Sequence, residues 1–408
     1  MNNEKSRVLC LFTSSYPYGS KVETFIDSEI EYMESSFKHI YIFPASNESG
    51  IIRRKFSEKF EIITFSDNWS DQRNKLFLKN FILILNVYLQ EFLFNSNKNY
   101  SFKELLKNRN ILIHRLYKAQ QIDDFLKKHD VSDAVCYSYW LNEWAIVLGI
   151  LKVKKKIKSF FCRAHGFDIY EERWSKKYIP FRYFQLKHAN AIYSVSKKGE
   201  EYLLGKYPSL KSIYTSYLGV RDNGLNNISD PNIFVLVSCS NPIPLKRVHL
   251  IVEILKNINW PLKWIHFGDG DSLEDLKRLA AGLKSNISVE FKGHVPNEKI
   301  IEYYRFNQVN LQILVSEIEG LPMSLIEASS FGIPLMATDV GGVSEIVNEK
   351  TGELISKDFD AVQVADLLTK FSKGYKNTME FRKSVKGYWT QKFDADMNYK
   401  SFYTRICN

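Results

Sequence analysis

The chain has 408 residues, a formal net charge of +10 and 45% apolar residues. That length excludes a single ordinary core and implies two domains, and the apolar fraction is enough for packed interiors. The positive balance suits an anionic partner (a phosphorylated ligand, a membrane surface or nucleic acid) and equally suits plain solubility of a Lys- and Asn-rich chain. Five cysteines, Cys10, Cys136, Cys162, Cys239 and Cys407, are scattered without a CxxC or a Cys/His metal spacing. Four of them sit in apolar, strand-like runs and read as buried thiols, which suits a reducing, cytoplasmic compartment.

The amino terminus runs into a first strand, VLCLFTS, at residues 8–14, with no signal-peptide core before it. A turn with Tyr16, Pro17, Tyr18 and Gly19 follows, then a helix that places Phe25, Ile26, Ile30 and Met33 on one side. KHIYIFPAS and FEIITFS supply two more strands, and residues 70–129 read as a helical insertion. Within it, residues 76–94 are the most membrane-like stretch. Lys79, Asn80, Asn86, Gln90 and Glu91 interrupt it, so it reads as an amphipathic or buried helix, not a span. Strand and helix then alternate: SDAVCYSYW, LNEWAIVLGILKVKK, KSFFCRAHG, YIPFRYFQLKHA, AIYSVS, a helix capped by Ser196, and SIYTSYLGV.

RDNGLNNISDP, dense in Asn, Asp, Gly and Ser, reads as the linker. A second alternating run follows, from IFVLVSCS through LKWIHFGDG, SVEFKG, VNLQILVS and PLMATD to ELIS, and the chain closes on terminal helices. Strands alternating with helices imply parallel sheets covered on both faces. The expected class is α/β, with two Rossmann-like doubly wound domains facing a cleft.

In such domains ligands bind beyond the carboxyl ends of the strands. The stretch SEIEGLPMSLIEASSFG, residues 316–332, lies there. Pro322 suits a first helical position, and the helix start offers free N–H groups and a positive dipole end to a phosphate. Glu319 precedes that helix and Glu327 lies within it; either carboxylate could accept hydrogen bonds from sugar or ribose hydroxyls. By spacing alone a solvated helix face is the favoured reading, because Glu is common on helices.

The surrounding pattern decides between these readings. E-G-L-P-x-S-L-I-E-A-x-x-x-G-x-P, followed by TDVGGVSEIV and TGELI, resembles the family 4 retaining glycosyltransferases of the GT-B fold. The resemblance extends over nearly the whole chain and is strongest from about Ser238 to Ile355. It implies an acceptor-binding domain over 1–221, a nucleotide-sugar domain over 232–384, and helices over 385–408 that pack back toward the first domain. It implies that Glu327 binds the nucleotide ribose, that Glu319 faces the donor sugar, and that Gly320, Leu321 and Pro322 hold sugar and diphosphate at the helix start. Lys246 would neutralise the donor phosphates. Gly268 and Gly270, and His294 and Val295 after Gly293, would line the nucleotide. Gly19 and Glu23 match the family's first loop, and Arg163, His165 and Asp168 its active-site histidine motif. Trp140, in YSYWLNEW, is an aromatic on which an acceptor sugar could stack.

One position departs from the family. Where an arginine commonly precedes the phosphate lysine, Ser240 and Asn241 stand, with Arg247 as the possible substitute. The basic run at 152–158 is either a solvated helix end or a contact for an anionic membrane surface. With no recognised module, no nucleic-acid partner is expected, and with no Asp-x-Asp pair at a strand end, no essential metal and no cofactor. The implied function is transfer of a sugar from a nucleotide-diphosphate donor to a glycan or lipid-linked acceptor in capsule, exopolysaccharide or O-antigen assembly, at the inner face of the bacterial membrane. A sugar-nucleotide epimerase of the same fold and a non-catalytic partner subunit are the alternatives. The E-x7-E context argues against the first. The residues Glu319, Glu327, Lys246 and His165 argue against the second, which the departing arginine favours.

Overall fold

The computed structural model describes residues 7–18, 23–47, 52, 56–94, 102–174, 177–230 and 232–407. The chain divides into two compact units, Met1–Ser216 with Tyr399–Asn408, and Tyr217–Asn398.

The first unit is built on seven strands: β1 (Val8–Thr13), β2 (His39–Pro44), β3 (Phe60–Ile62), β4 (Val135–Ser138), β5 (Phe160–Ala164), β6 (Ala191–Ser194) and β7 (Ile213–Thr215). They lie in the order β3-β2-β1-β4-β5-β6-β7, every neighbour parallel. Helices cover both faces, which is why β1, β4 and β5 are near-continuous apolar runs without alternation. The strand order reverses between β1 and β4, so the loops leaving these two strands open a crevice there. Between β3 and β4 lies the insertion, with helices Arg73–Lys79, Phe81–Phe94, Phe102–Lys107 and Arg109–Lys128. The membrane-like stretch falls on the first two, which bend by 81° at Asn80. Among the described residues no single helix is long and apolar enough to cross a membrane.

The second unit has six strands: β8 (Phe234–Cys239), β9 (Leu262–Phe267), β10 (Ile287–Gly293), β11 (Leu311–Leu314), β12 (Leu335–Thr338) and β13 (Gly352–Ile355). Their order is β10-β9-β8-β11-β12-β13, again all parallel, with the reversal between β8 and β11. Inside the sheet, Ser238 Oγ accepts from Trp264 Nε1 at 2.9 Å and lies 2.8 Å from His266 Nδ1. Burial pushes the His266 imidazole down to about 4, so this cross-strand chain is held neutral.

One stretch differs in use from its sequence reading. Asn226, in the turn-rich segment read as a linker, is buried against the second unit. Its amide donates to the Tyr304 and Asn307 carbonyls and accepts from Val309 N and Arg382 Nη1. The polar composition there serves bracing hydrogen bonds instead of flexibility. In VSEIVN only a 3-10 turn forms, Val343–Glu345. Helix Met379–Phe393 lies in the second unit with Trp389 and Phe393 fully enclosed. From Tyr399 onward the chain packs into the first unit, where Tyr403 donates to Glu29 at 2.8 Å.

Candidate functional site

In the second unit the candidate residues gather where β8 and β11 part. After β8 the chain turns through Pro244–Lys246, and after β11 it runs through Ser316 to Glu319. These two loops are tied together by Glu317 N donating to Leu245 O at 2.8 Å. Lys246 Nζ then meets Glu319 Oε1 at 2.5 Å, and Ser316 Oγ donates to the same oxygen at 2.6 Å. The lysine side chain is 27% exposed and the glutamate 9%, so the ammonium is the outward member of the pair.

The backbone around Glu319 is fixed by a third loop. Gly342 N donates to Gly320 O at 2.8 Å, and Thr338 Oγ1 donates to Ser316 O at 2.6 Å. At Gly341, φ is 53°, and an added Cβ would lie 1.9 Å from the Glu319 carbonyl oxygen. Only glycine permits that approach. Helix Met323–Ser330 follows at once. Pro322 takes its N-cap position and not the first helical one. Its ψ of 111° is extended, and its carbonyl receives the first intrahelical bonds, from Leu325 and Ile326. The free N–H groups of the first turn therefore begin beyond Gly320, Leu321 and Pro322.

Glu327 sits in the second turn of this helix and accepts from Asn297 Nδ2 at 2.8 Å. Desolvation pushes its carboxyl up to about 7, against the pull of the Asn297 bond. Asn297 opens the helix that follows the β10 loop holding His294, which is exposed, and Val295, which is half-buried. Gly293 N-terminal to them has φ 66°, and its carbonyl accepts from Gly268 N at 2.9 Å, joining the two loops. Gly268 has φ 147°, and a Cβ there would lie 2.0 Å from Ser240 O. Gly270 approaches Pro242 less closely, at 3.3 Å.

Arg247 does not take the place of the departing arginine. Its Nε donates to Val315 O at 3.0 Å and its Nη2 to Lys357 O at 2.9 Å. With its backbone left-handed at φ 48°, the side chain turns back into the β11 loop as a brace. The reason is local: adjacent residues on a tight turn diverge, and the carbonyls of Val315 and Ser316 need donors.

In the first unit the family-like residues also meet, largely by bonding to one another. The Glu23 carboxylate accepts from the backbone N–H groups of Ser14, Ser15 and Tyr16 and from Trp140 Nε1 at 2.5 Å. Buried and left-handed at φ 58°, it shapes the loop after β1. Asp168 accepts from His165 N at 2.5 Å and Leu141 N at 2.7 Å, joining the β5 and β4 loops. Burial raises its carboxyl to about 7, with Arg182 opposing. Arg163 is fully enclosed, its Nη1 2.5 Å from Glu29 and its guanidinium over the Phe402 ring at 4.1 Å. That places it in the core and not on an acceptor surface. His165 lies under Trp140, Tyr139 and Phe25, ring centroids 4.4, 5.2 and 5.9 Å away. Burial and then Arg163 hold its imidazole well below the usual histidine range, so it is neutral. Gly19 lies outside the described residues.

Three contributors escaped the sequence reading. Ser316 and Asn297 are a hydroxyl and an amide of common type, and nothing marks them before their partners are placed. Gly341 was legible, since a Gly-Gly pair at a strand end signals close backbone approach.

Two parallel Rossmann-like units of this kind define the GT-B fold, and solved structures agree. The lipopolysaccharide outer core galactosyltransferase WaaB has a TM-score of 0.69 at 15% identity, over 98% of each chain. Anabaena Alr3699/HepE in complex with UDP has 0.69 at 13% identity, over 98% of this chain and 99% of that one. Residues 225–387 match the family "Glycosyl transferases group 1". It is 32% identical over 162 residues, 40% of this chain, to the O-antigen biosynthesis glycosyltransferase WbnH of Escherichia coli. Protein CapJ of Staphylococcus aureus is 26% identical over 242 residues, 54% of this chain. The alignments span 43% of WbnH and 59% of CapJ.

Proposed function

We propose that the chain is a retaining glycosyltransferase, moving a sugar from a nucleoside-diphosphate sugar to a glycan or lipid-linked acceptor in the assembly of bacterial surface polysaccharide. The observation that carries this reading is the Lys246–Glu319 pair, set on crossing loops immediately before a helix start. A diphosphate there meets one ammonium and the positive end of a helix, the environment a departing diphosphate requires. Glu327, one turn and a half further along, accepts from the ribose hydroxyls. Glu319 positions the sugar, and in the first unit His165, Trp140 and Asp168 are assigned to substrate contact.

In the proposed step the bond between the anomeric carbon and the diphosphate oxygen breaks. The acceptor oxygen bonds to the same carbon from the same face, and its proton passes to a phosphate oxygen of the leaving group. Charge developing on the diphosphate is met by Lys246 and the helix N–H groups, so no essential metal is assigned. The relative named for O-antigen biosynthesis supports the substrate class. The reaction would take place at the cytoplasmic side of the membrane, where nucleotide sugars are made.

The test is release of nucleoside diphosphate from a panel of UDP-, GDP- and other nucleotide sugars, with membrane extract as acceptor. One donor should yield a new glycosidic bond with its anomeric configuration kept. An inverted product would remove the retaining mechanism. An isomerised nucleotide sugar with nothing added to the acceptor would replace transfer by epimerisation.

A further inference from the structure

We infer that the outward face of helix Phe81–Phe94, with the basic residues on its two flanks, is a docking surface for an anionic lipid bilayer. The rotation of this helix is fixed from the inside. Ile84, Val87, Tyr88 and Glu91 are its buried stripe. Glu91 Oε1 accepts from Phe184 N and Oε2 from Tyr178 Oη, both at 2.7 Å. With the helix's one carboxylate locked inward, the opposite face is largely apolar, interrupted by the exposed Asn86, which accepts from Gln90 Nε2 at 2.5 Å. Leu78, Phe81, Ile82, Leu85, Leu89 and Leu93 are between 51% and 82% exposed. A helix apolar on both faces, with only one face buried, calls for something to cover the other.

Charge identifies the cover. No Lys or Arg lies between residues 80 and 94, yet the exposed Arg73, Lys75 and Lys79 precede the stripe and Lys103, Lys107 and Arg109 follow it. Among the described side chains from 70 to 111, Asp71 is the one exposed carboxylate. An apolar stripe between two basic flanks matches acyl chains bordered by anionic headgroups. A second copy of this chain fits less well, because symmetric pairing along the stripe sets basic flank against basic flank. The helix lies on the bilayer and does not span it. Fourteen residues reach only about 21 Å against a hydrocarbon core of about 30 Å, and the 81° bend prevents the preceding helix from extending it.

This places the membrane contact away from the basic run at 152–158. Four of its five lysines are engaged locally, Lys152 with Asn190, Lys154 with Asn80, Lys156 with Asp123 and Lys158 with Asp133. The run adjoins the docking surface through Asn80 alone among these contacts.

The experiment is co-sedimentation of the full chain with vesicles of phosphatidylcholine containing phosphatidylglycerol, and with phosphatidylcholine alone. The chain should bind the anionic vesicles. The double variant Ile82→Ser, Leu85→Ser should lose at least about tenfold in partition, since two large apolar groups no longer enter the interface. Arg73→Glu with Lys75→Glu should weaken binding and flatten its salt dependence. Both variants change surface positions only, so thermal melting and nucleoside diphosphate binding should match the unaltered chain. That separates this inference from the donor-site reading. Equal partition of the serine variant and the unaltered chain overturns it. So does a concentration-dependent dimer that the serine changes dissociate while vesicles are ignored.

Discussion

Lys246 and Glu319 illustrate how a residue pair can be both structural and chemical. Ser316 and the lysine hold the carboxylate in place, while the ammonium keeps an open side. Removing each partner should therefore act differently. Lys246→Ala should weaken nucleoside diphosphate binding and lower turnover by at least about a hundredfold. Glu319→Gln should lower turnover similarly while leaving nucleoside diphosphate binding unchanged or tighter, because the lysine is no longer shared. Calorimetry on both variants beside a turnover assay checks this, and equal loss of binding in both would refute the division of roles.

Glu327 adds a pH signature. With its carboxyl at about 7, it holds a proton at lower pH and releases it above. Ribose hydroxyls donate to a carboxylate better than to a neutral acid, so donor affinity should rise with pH through about 7. Glu327→Gln should bind more weakly and lose that rise. A donor KM measured across this range reads the effect; an unchanged pH profile in the variant would remove Glu327 from the ribose contact. At this scale the sequence motif singled out Glu319, Glu327 and Lys246, and the structure brings Lys246 against Glu319. It was silent for Arg247, because the carbonyls that capture its guanidinium belong to residues 315, 316 and 357, far away in the chain.

At the scale of elements, loops carry the design. The crowded approach of Gly341 to Glu319 means that Gly341→Ala must displace the carboxylate's own backbone. Its turnover should fall sharply while the melting temperature changes little, since the strain is confined to a surface-side loop; a fully active variant would show that the loop can yield. Asn226→Ala makes the opposite prediction. It strips partners from Arg382 and from buried carbonyls, and should cost on the order of 3 kcal/mol in denaturant unfolding with no specific effect on donor KM. The strands were legible to within a few residues because parallel strands buried on both faces are unbroken apolar runs. The segment around Asn226 was misread because Asn, Asp and Gly mark any chain reversal, whether it swings free or is bonded down. Pro322 shows the same limit: its φ suits both N-cap and first helical position, and only the observed ψ separates them.

For the molecule as a whole, two sheets of seven and six parallel strands follow from the alternation of strand and helix periods. What the alternation cannot assign is membership of the ends. The exchange at Tyr399 depends on Tyr399, Phe402 and Tyr403 meeting the aromatic and Glu29 core of the first unit. Those contacts have sequence separations of hundreds of residues and leave no local trace.

The central claim is that Lys246 with the helix start, and Glu327 further along it, are the diphosphate and ribose ends of one donor site. A double cycle measures it: calorimetric affinity of the unaltered chain and of Glu327→Ala for a nucleoside diphosphate and for its 2′,3′-dideoxy form. If Glu327 holds the ribose, deleting the carboxylate and deleting the hydroxyls should cost nearly the same affinity, and the two losses together should cost little more than one. Losses that simply add, or a Glu327→Ala chain that binds the ribonucleotide unchanged, would contradict the account.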